Sequence, residues 1–206
     1  MLKKNRISVK QLASVNLGSC THFIGDEDLL NSFKEKHDRI VQDIEIAMKN
    51  IGFNCNKEKV VGSKLDDGIL VSGRIDLYCE KNNDVIIFEM KSSFIGNAKP
   101  NDKLQLGIYY VLLSKIGKNV VGAILVYNKD NNELGYESFN VGKYKLSLPK
   151  KYFYYIVDLK EAKITAEISN IVRAFKNYSN IDSYIIGKHC DFCKNLNCPF
   201  NSKLSA

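Results

Sequence analysis

Three short groups of polar residues stand out, because their side-chain types and spacing could together do chemistry. The chain reads G-R-I-D at residues 73–76, E-M-K at 89–91 and Q-x-x-x-Y at 105–109. The first lies inside a predicted strand, the second at the end of the next strand, and the third on a predicted helix, where residues four apart share a face. Gly73 marks a point where backbone or substrate approaches closely. Carboxylates, a lysine, an amide and a phenol can bind metal ions and move protons, so these positions form the candidate site.

The two carboxylates of these groups are predicted to converge. Asn82-Asn83 is a turn signal, so the strands that carry Asp76 and Glu89 should form a hairpin. Lys91 follows Glu89 by two residues and points the same way. Two close carboxylates repel unless a cation lies between them, and hard oxygen ligands suit Mg²⁺ or Mn²⁺. The alternative is an exposed polar face with a cross-strand ion pair.

The C-terminal tail carries a second candidate site. Cys190, Cys193 and Cys198 fall within nine residues. No signal peptide is visible at the N-terminus, so we expect a cytoplasmic protein (host cytoplasm if it is viral), in which thiols stay reduced. Clustered cysteines there indicate a metal site rather than a disulfide framework. Cys55 and Cys79 lie apart from the cluster, and we interpret them as small buried hydrophobic residues.

In their order along the chain, G-R-I-D, E-M-K and Q-x-x-x-Y resemble the motifs of the PD-(D/E)XK nuclease superfamily, specifically its RecB-like branch. The resemblance implies an α/β fold with a restriction-endonuclease-like core, a mixed β-sheet flanked by helices. In that branch a histidine on an upstream helix joins the metal ligands, and His37 occupies that place; the alternative is a histidine packed in the core. The implied ligands of Mg²⁺ or Mn²⁺ are His37, Asp76, Glu89 and the Met90 carbonyl.

The resemblance also implies roles in DNA hydrolysis for the side chains around the metal. Asp76 and Glu89 would hold the metal, and Lys91 would orient or help deprotonate the attacking water. Gln105 would help to position the active site, and Tyr109 would contact DNA. The alternative interpretation is that Tyr109 only packs its ring and that Gln105 caps a strand backbone.

The cysteines extend the resemblance to the iron–sulfur group of RecB-like nucleases, which includes the CRISPR-associated exonuclease (the fourth Cas protein) and the nuclease domain of AddB. In that group one N-terminal and three C-terminal cysteines hold a [4Fe-4S] cluster, and four thiolates are its usual ligand set. The matching residues here are Cys20, Cys190, Cys193 and Cys198. A structural Zn²⁺ site is the alternative, because four thiolates suit zinc as well.

Hydrophobic spacing and turn signals predict the elements that must position these residues. A long amphipathic helix is predicted at 27–51, closed by Gly52, followed by helices at 102–116 and 158–178. The predicted strands are 57–61, 69–79, 84–93, 120–128, 134–141 and 152–157, with 134–141 pairing with the strand before it.

One domain is expected from the length of 206 residues, since domains usually run to about 100–200 residues. The resemblance divides this RecB-like nuclease domain, 1–206, into a core at 27–178 and an iron–sulfur element formed by 1–25 and 187–200. A hydrophobic fraction of 45% is ordinary for a globular protein and excludes a disordered chain.

The charge of the chain favours an anionic partner. Thirty Lys and Arg residues against 23 Asp and Glu residues give a formal net charge of +7, and only four of the thirty are arginine. Lysine suits phosphate backbones without demanding a fixed geometry. No apolar run approaches the roughly 18–20 residues that span a bilayer, and no G-x-x-x-x-G-K-[ST] motif is present, so neither a membrane nor ATP is expected as a partner.

The function that we expect is therefore metal-dependent DNA exonuclease activity, on single strands or DNA ends, with CRISPR-adaptation or recombination proteins as candidate partners. Lysines and tyrosines at 143–145 and 150–155 could line a path for a single strand, although ordinary aromatic packing explains them as well. The alternative function is a DNA-binding or adaptor module of a CRISPR spacer-acquisition complex, or a decoy of it. A zinc-containing structural protein with coincidental motifs is a third interpretation.

Overall fold

The computed structural model describes residues 6–14, 27–64, 68–92, 96–129, 131, 133–160, 164 and 167–168. The described part is a mixed α/β fold of eight strands and three helices. In chain order these are β1 (Arg6–Ser8), α1 (Val9–Ser14), α2 (Glu27–Asn50), β2 (Asn54–Lys64), β3 (Leu70–Lys81), β4 (Asp84–Lys91), α3 (Pro100–Lys115), β5 (Asn119–Asn128), β6 (Tyr136–Val141), β7 (Tyr144–Pro149) and β8 (Tyr152–Ile156).

Six of these strands form one mixed sheet in the order β1-β3-β4-β5-β8, with β2 paired to β3 outside this path. The β2–β3, β3–β4 and β5–β8 pairs are antiparallel, whereas β1–β3 and β4–β5 are parallel. A parallel pair needs a crossover connection, and α3 supplies it between β4 and β5. The mixed sheet with helices that the sequence predicts is therefore present.

The sheet is buried on both faces, which explains the continuous apolar run of β4. Ile86 and Phe88 pack with Ile44 and Met48 of α2 in one core cluster. On the opposite face, Ile87 packs in a second cluster with residues of α1 and α3. Because successive residues of a strand point to opposite faces, Glu89 and Lys91 share the α3 side with Ile87.

The turns and helix ends follow the signals in the sequence. Gly52 has a φ of 85° after the end of α2, and Gly117 has a φ of 78° after the end of α3. Both values lie in the left-handed region that glycine adopts most easily. Asn82 and Asn83 have φ values of 50° and 69° and join β3 to β4, which confirms the predicted hairpin.

The segment predicted at 134–141 pairs differently from our expectation. Its strand, β6, forms a separate two-stranded sheet with β7, not with β5. Gly142, with a φ of 56°, opens the two-residue connection between β6 and β7, and such a turn favours a local hairpin. Gly122 of β5 lies beneath this hairpin, because a Cβ there would clash with the Val141 side chain.

The interpretation of Cys55 and Cys79 as unpaired residues is wrong. Both are buried, as expected, but they are opposite each other on β2 and β3 and are joined by a disulfide bond. The pairing across neighbouring strands brings their Cα atoms to 4.1 Å. A sequence separation of 24 residues gave no sign of this register.

Several predictions fall on residues that the structure does not describe. These are the four cysteines proposed for the cluster, at 20, 190, 193 and 198, and most of the helix predicted at 158–178. The division of the chain into a core and an iron–sulfur element therefore stays a prediction. Within the described ranges, no helix is long and apolar enough to cross a membrane.

Candidate active site

The β3–β4 hairpin brings Asp76 beside the end of β4. The paired register of the two strands runs from Lys81 opposite Asp84 to Leu77 opposite Phe88. Just beyond it, Asp76 Oδ2 accepts a hydrogen bond of 2.8 Å from the backbone N–H of Met90. The carboxylate thus takes the place of a backbone acceptor where the register ends, which fixes its position next to the E-M-K segment.

His37 reaches the same place from α2. Its Nε2 lies 3.2 Å from Asp76 Oδ2, and its Nδ1 lies 3.4 Å from Asp38 Oδ1. The hydrogen bond to Asp76 raises the pKa of His37 above its ordinary value, against the opposing effect of burial. The structure therefore brings the predicted upstream histidine to the predicted carboxylate, rather than into the apolar core.

Glu89 lies at the centre of the site, with only 4% of its surface exposed. Its Oε1 accepts two hydrogen bonds of 2.8 Å, from Lys91 Nζ and from Gln105 Nε2. Its Oε2 is buried and has no hydrogen-bond partner. Buried carboxylate oxygens are normally paired, so the single open oxygen requires an explanation.

The charges of the site are strongly coupled. Burial raises the pKa of Glu89 to about 7, and the negative charge of Asp76 adds to this effect against the attraction of Lys91. Burial alone would lower the pKa of Lys91, but the charges of Glu89 and Asp102 outweigh it and raise that pKa. The site therefore holds Lys91 as an ammonium ion and disfavours the ionised form of Glu89.

Gln105 and Tyr109 line the face of α3 that covers the sheet, but they act differently. Gln105 contacts both Glu89 and Lys91 through its side chain, with its Oε1 3.3 Å from Lys91 Nζ. Tyr109 is 2% exposed, and its hydroxyl donates a 2.7 Å hydrogen bond to the Arg74 carbonyl. The ring is packed in the core, which leaves little of its surface for the predicted DNA contact.

Gly73 is explained by the same helix. A Cβ at this position would lie 2.8 Å from the Tyr109 ring and 2.7 Å from the Val9 side chain. The close approach predicted from the glycine is therefore made by side chains of α3 and α1. The absence of a side chain at Gly73 lets α3 approach β3, next to Asp76.

Asp102 also belongs to the site, although it was not among the residues predicted from the sequence. It lies in the first turn of α3, is 8% exposed, and its Oδ1 is 3.4 Å from Lys91 Nζ. Its other oxygen accepts a 2.9 Å hydrogen bond from the Tyr127 hydroxyl. The spacing D-x-x-Q places it on the face of Gln105 and was the signal that could have found it.

The donor set fits a divalent cation in part. Among the described residues, no group of three or more His, Cys, Asp and Glu side chains is arranged to hold a metal ion. The neighbouring carboxylates of Asp76 and Glu89 are nevertheless hard oxygen donors, and Glu89 Oε2 is left without a partner. This open oxygen, close enough to Asp76 for the two charges to repel, is where a cation would relieve the repulsion.

Comparison with known proteins shows the fold and leaves the activity open. No family model and no curated protein matches the chain. The structure is similar to the crystal structure of SSO0001, with a TM-score of 0.52 and 20% identity over 98% of this chain and 89% of that one. A protein from Eubacterium rectale named "putative exonuclease" is similar at a TM-score of 0.39 and 16% identity, over 78% of this chain and 57% of that one. The first similarity shows a shared fold, and the second is too low to establish one.

Proposed function

We propose that this chain is a divalent-metal-dependent deoxyribonuclease that hydrolyses phosphodiester bonds, as an exonuclease on single-stranded DNA or DNA ends. One observation carries the proposal. Glu89 is buried with one oxygen held by Lys91 and Gln105 and the other open, beside the carboxylate of Asp76. A purely structural site would satisfy both oxygens.

The proposed metal is Mg²⁺ or Mn²⁺, with the neighbouring carboxylates of Asp76 and Glu89 as the ligands that the geometry supports. His37 and the Met90 carbonyl are the further ligands that the resemblance implies. When bound, such an ion supplies a water of lowered pKa and stabilises charge on a phosphate. The Met90 N–H fixes one oxygen of Asp76, and Gln105 fixes one oxygen of Glu89. The carboxylates are therefore preorganised before any ligand arrives.

Lys91 is the proposed group for orienting the attacking water. Its side chain is 25% exposed, so it reaches solvent while its Nζ stays 2.8 Å from Glu89 Oε1. The ammonium form that the site favours can donate hydrogen bonds to a water or to a phosphate oxygen. A fixed cation beside the scissile phosphate stabilises the charge that develops in the transition state.

The substrate class rests on charge and on the resemblance. The chain has a formal net charge of +7, nearly all of it from lysine, which favours a phosphate backbone. The proposed activity needs no ATP, because the sequence lacks a phosphate-binding G-x-x-x-x-G-K-[ST] motif. DNA binding without cleavage would favour the adaptor module instead.

The test compares end-labelled linear DNA, single-stranded and duplex, with closed circles in Mg²⁺, Mn²⁺ or EDTA. We expect linear DNA to be shortened from its ends with either metal and to stay intact in EDTA. Lys91→Ala should lower the cleavage rate by about 10²–10³-fold, the range for removing one electrostatic donor from an active site. Lys118→Ala is the matched control, because Lys118 also pairs with a carboxylate, that of Glu80, outside this site. Equal rates for the two variants would contradict the assignment.

We also propose that Cys20, Cys190, Cys193 and Cys198 hold a [4Fe-4S] cluster, with structural Zn²⁺ as the alternative. Anaerobically purified protein should then be brown and contain about four iron and four sulfide per chain. Cys198→Ser should bleach this colour. One zinc per chain without sulfide would replace the iron–sulfur proposal and leave the nuclease proposal untouched.

A further inference from the structure

Asp102 and Tyr127 form a buried polar network that the motifs G-R-I-D, E-M-K and Q-x-x-x-Y do not include. The Tyr127 hydroxyl accepts the Lys99 N–H at 3.3 Å and donates to Asp102 Oδ2 at 2.9 Å. Asp102 Oδ1 in turn lies 3.4 Å from Lys91 Nζ. These contacts therefore connect the start of α3, through Tyr127 of β5, to Lys91 of the candidate site.

The strand register explains how Tyr127 reaches this place. Lys91 of β4 is directly opposite Tyr127 of β5 in their parallel pair, so both side chains leave the sheet on the same face. The first turn of α3 covers that face and brings Asp102 between them. Tyr127 is 1% exposed and also receives the backbone N–H of the α3 N-cap residue, Lys99. Its hydroxyl is thus held by the fold, independently of any substrate.

Burial of the Asp102 carboxylate costs free energy unless partner groups compensate for the lost water. Among the described residues only four polar or charged side chains are buried: Asp84, Glu89, Asp102 and Gln105. Three of them belong to this one cluster around Lys91. A buried carboxylate is tolerated when charged and hydrogen-bonding partners surround it, and Asp102 has Lys91 and the Tyr127 hydroxyl.

We infer that Asp102, held by Tyr127, is a positioning residue that shares the Lys91 ammonium with Glu89. Without Asp102, Glu89 would be the only carboxylate paired with Lys91 among the contacts described. The ammonium would then have no carboxylate anchor on the side of α3. This inference rests on the proposed nuclease function for its catalytic meaning, but the geometry that it describes exists in the free protein.

The first measurement needs no catalysis. Intact protein is treated with trace acetic anhydride, and acetylation of Lys91 is read by peptide mass spectrometry. Asp102→Asn keeps the size of the side chain and removes its charge, so the labelling of Lys91 should rise several-fold. Tyr127→Phe should raise it less, because the Asp102 charge remains. Unchanged labelling of Lys91 in both variants would overturn the inference.

The matched controls lie at the other end of β4. Asp84 is also a buried carboxylate, paired with Lys143 and with the Tyr144 hydroxyl. Asp84→Asn and Tyr144→Phe therefore remove the same chemical groups far from Lys91 along the strand. They should leave the labelling of Lys91 at the wild-type level. An equal rise in the control variants would mean general loosening, and the inference would fail.

The second measurement gives the catalytic consequence. Asp102→Asn should lower kcat for DNA cleavage by about 10–100-fold, the usual cost of losing a supporting contact, with KM nearly unchanged. A change in KM alone, or none, would overturn the positioning role. If the wild-type chain cleaves no DNA while Asp102→Asn still loosens Lys91, the proposed function fails and the positioning stands.

Discussion

The two ends of β4 each bury a carboxylate, and the two sites differ in how completely their oxygens are paired. At the first residue, Asp84 accepts a 2.6 Å hydrogen bond from Asn119 Nδ2 and one of 2.8 Å from the Tyr144 hydroxyl, and pairs with Lys143 Nζ at 2.8 Å. Near the other end, Glu89 has two donors on one oxygen and none on the other.

The electrostatic consequences have opposite signs. The ion pair with Lys143, supported by the Tyr144 hydroxyl, lowers the pKa of Asp84. Burial and the nearby Asp76 charge raise the pKa of Glu89 to about 7. The fold stabilises the ionised form of Asp84, whereas Glu89 keeps one oxygen open to a ligand. The same strand thus shows what a structural carboxylate looks like and how the candidate site departs from it.

The largest effect expected from this comparison is the loss of activity in Glu89→Gln. This variant keeps the shape of the side chain and removes the charge that the proposed metal needs. Loss of a single electrostatic contact in an active site costs about 10²–10³-fold in rate. We expect DNA cleavage to fall by at least this factor, while the circular dichroism spectrum stays that of the wild type. Cleavage within a few-fold of the wild-type rate would contradict the role of Glu89.

The next expected effect is a loss of stability without a loss of activity, in Asp84→Asn. Asp84→Asn removes the ion pair with Lys143 and weakens the hydrogen bonds that connect β4 to β5 and to the β6–β7 hairpin. We expect a clear fall in the melting temperature and an unchanged specific activity below that temperature. A loss of cleavage in folded Asp84→Asn would remove the distinction between the two ends of the strand.

The sequence predicted one end of β4 better than the other. Asp76, Glu89 and Lys91 could be placed together because one short turn, at Asn82-Asn83, fixes the hairpin register that joins them. The partners of Asp84 come from Asn119 and from the β6–β7 hairpin, and no local pattern reports such distant pairings. The β6–β7 pairing was missed although the Gly142 turn signals it, because the turn signal at Asn131-Asn132 favoured pairing of 134–141 with the strand before it.

The sequence did not predict Asp102 as a site residue, for a different reason. Acidic residues are common in the exposed first turn of a helix, where they interact with the helix dipole. Its chemical type and position therefore suggested an ordinary helix start after Pro100. Burial of Asp102 depends on Tyr127, which the parallel β4–β5 register places beside Lys91. Parallel pairing across a helix is a long-range feature, and one sequence alone does not fix its register.

The smallest expected effect is a difference between Glu89 and Asp84 in how they make stability depend on pH. Stability is measured as the melting temperature in EDTA. Folding raises the pKa of Glu89 from 4.5 to about 7, so the free energy of unfolding falls as the pH rises through this window. Glu89→Gln lacks this fall, and its melting temperature relative to wild type should rise from about pH 4 to about pH 8.

Asp84 should show the opposite trend, because folding lowers its pKa below 3.8. Its contribution to stability is complete above the unfolded pKa and is lost as the pH falls through the folded one. The deficit of Asp84→Asn should therefore be largest near neutral pH and should close in acid. For both variants the result is the change with pH of the difference in melting temperature from wild type. A difference that stays constant with pH also contains the effect of altered packing. Two offsets that move in the same direction with pH would show that the ends of β4 hold carboxylates of one kind, and the open oxygen of Glu89 would lose its meaning as the mark of an active site.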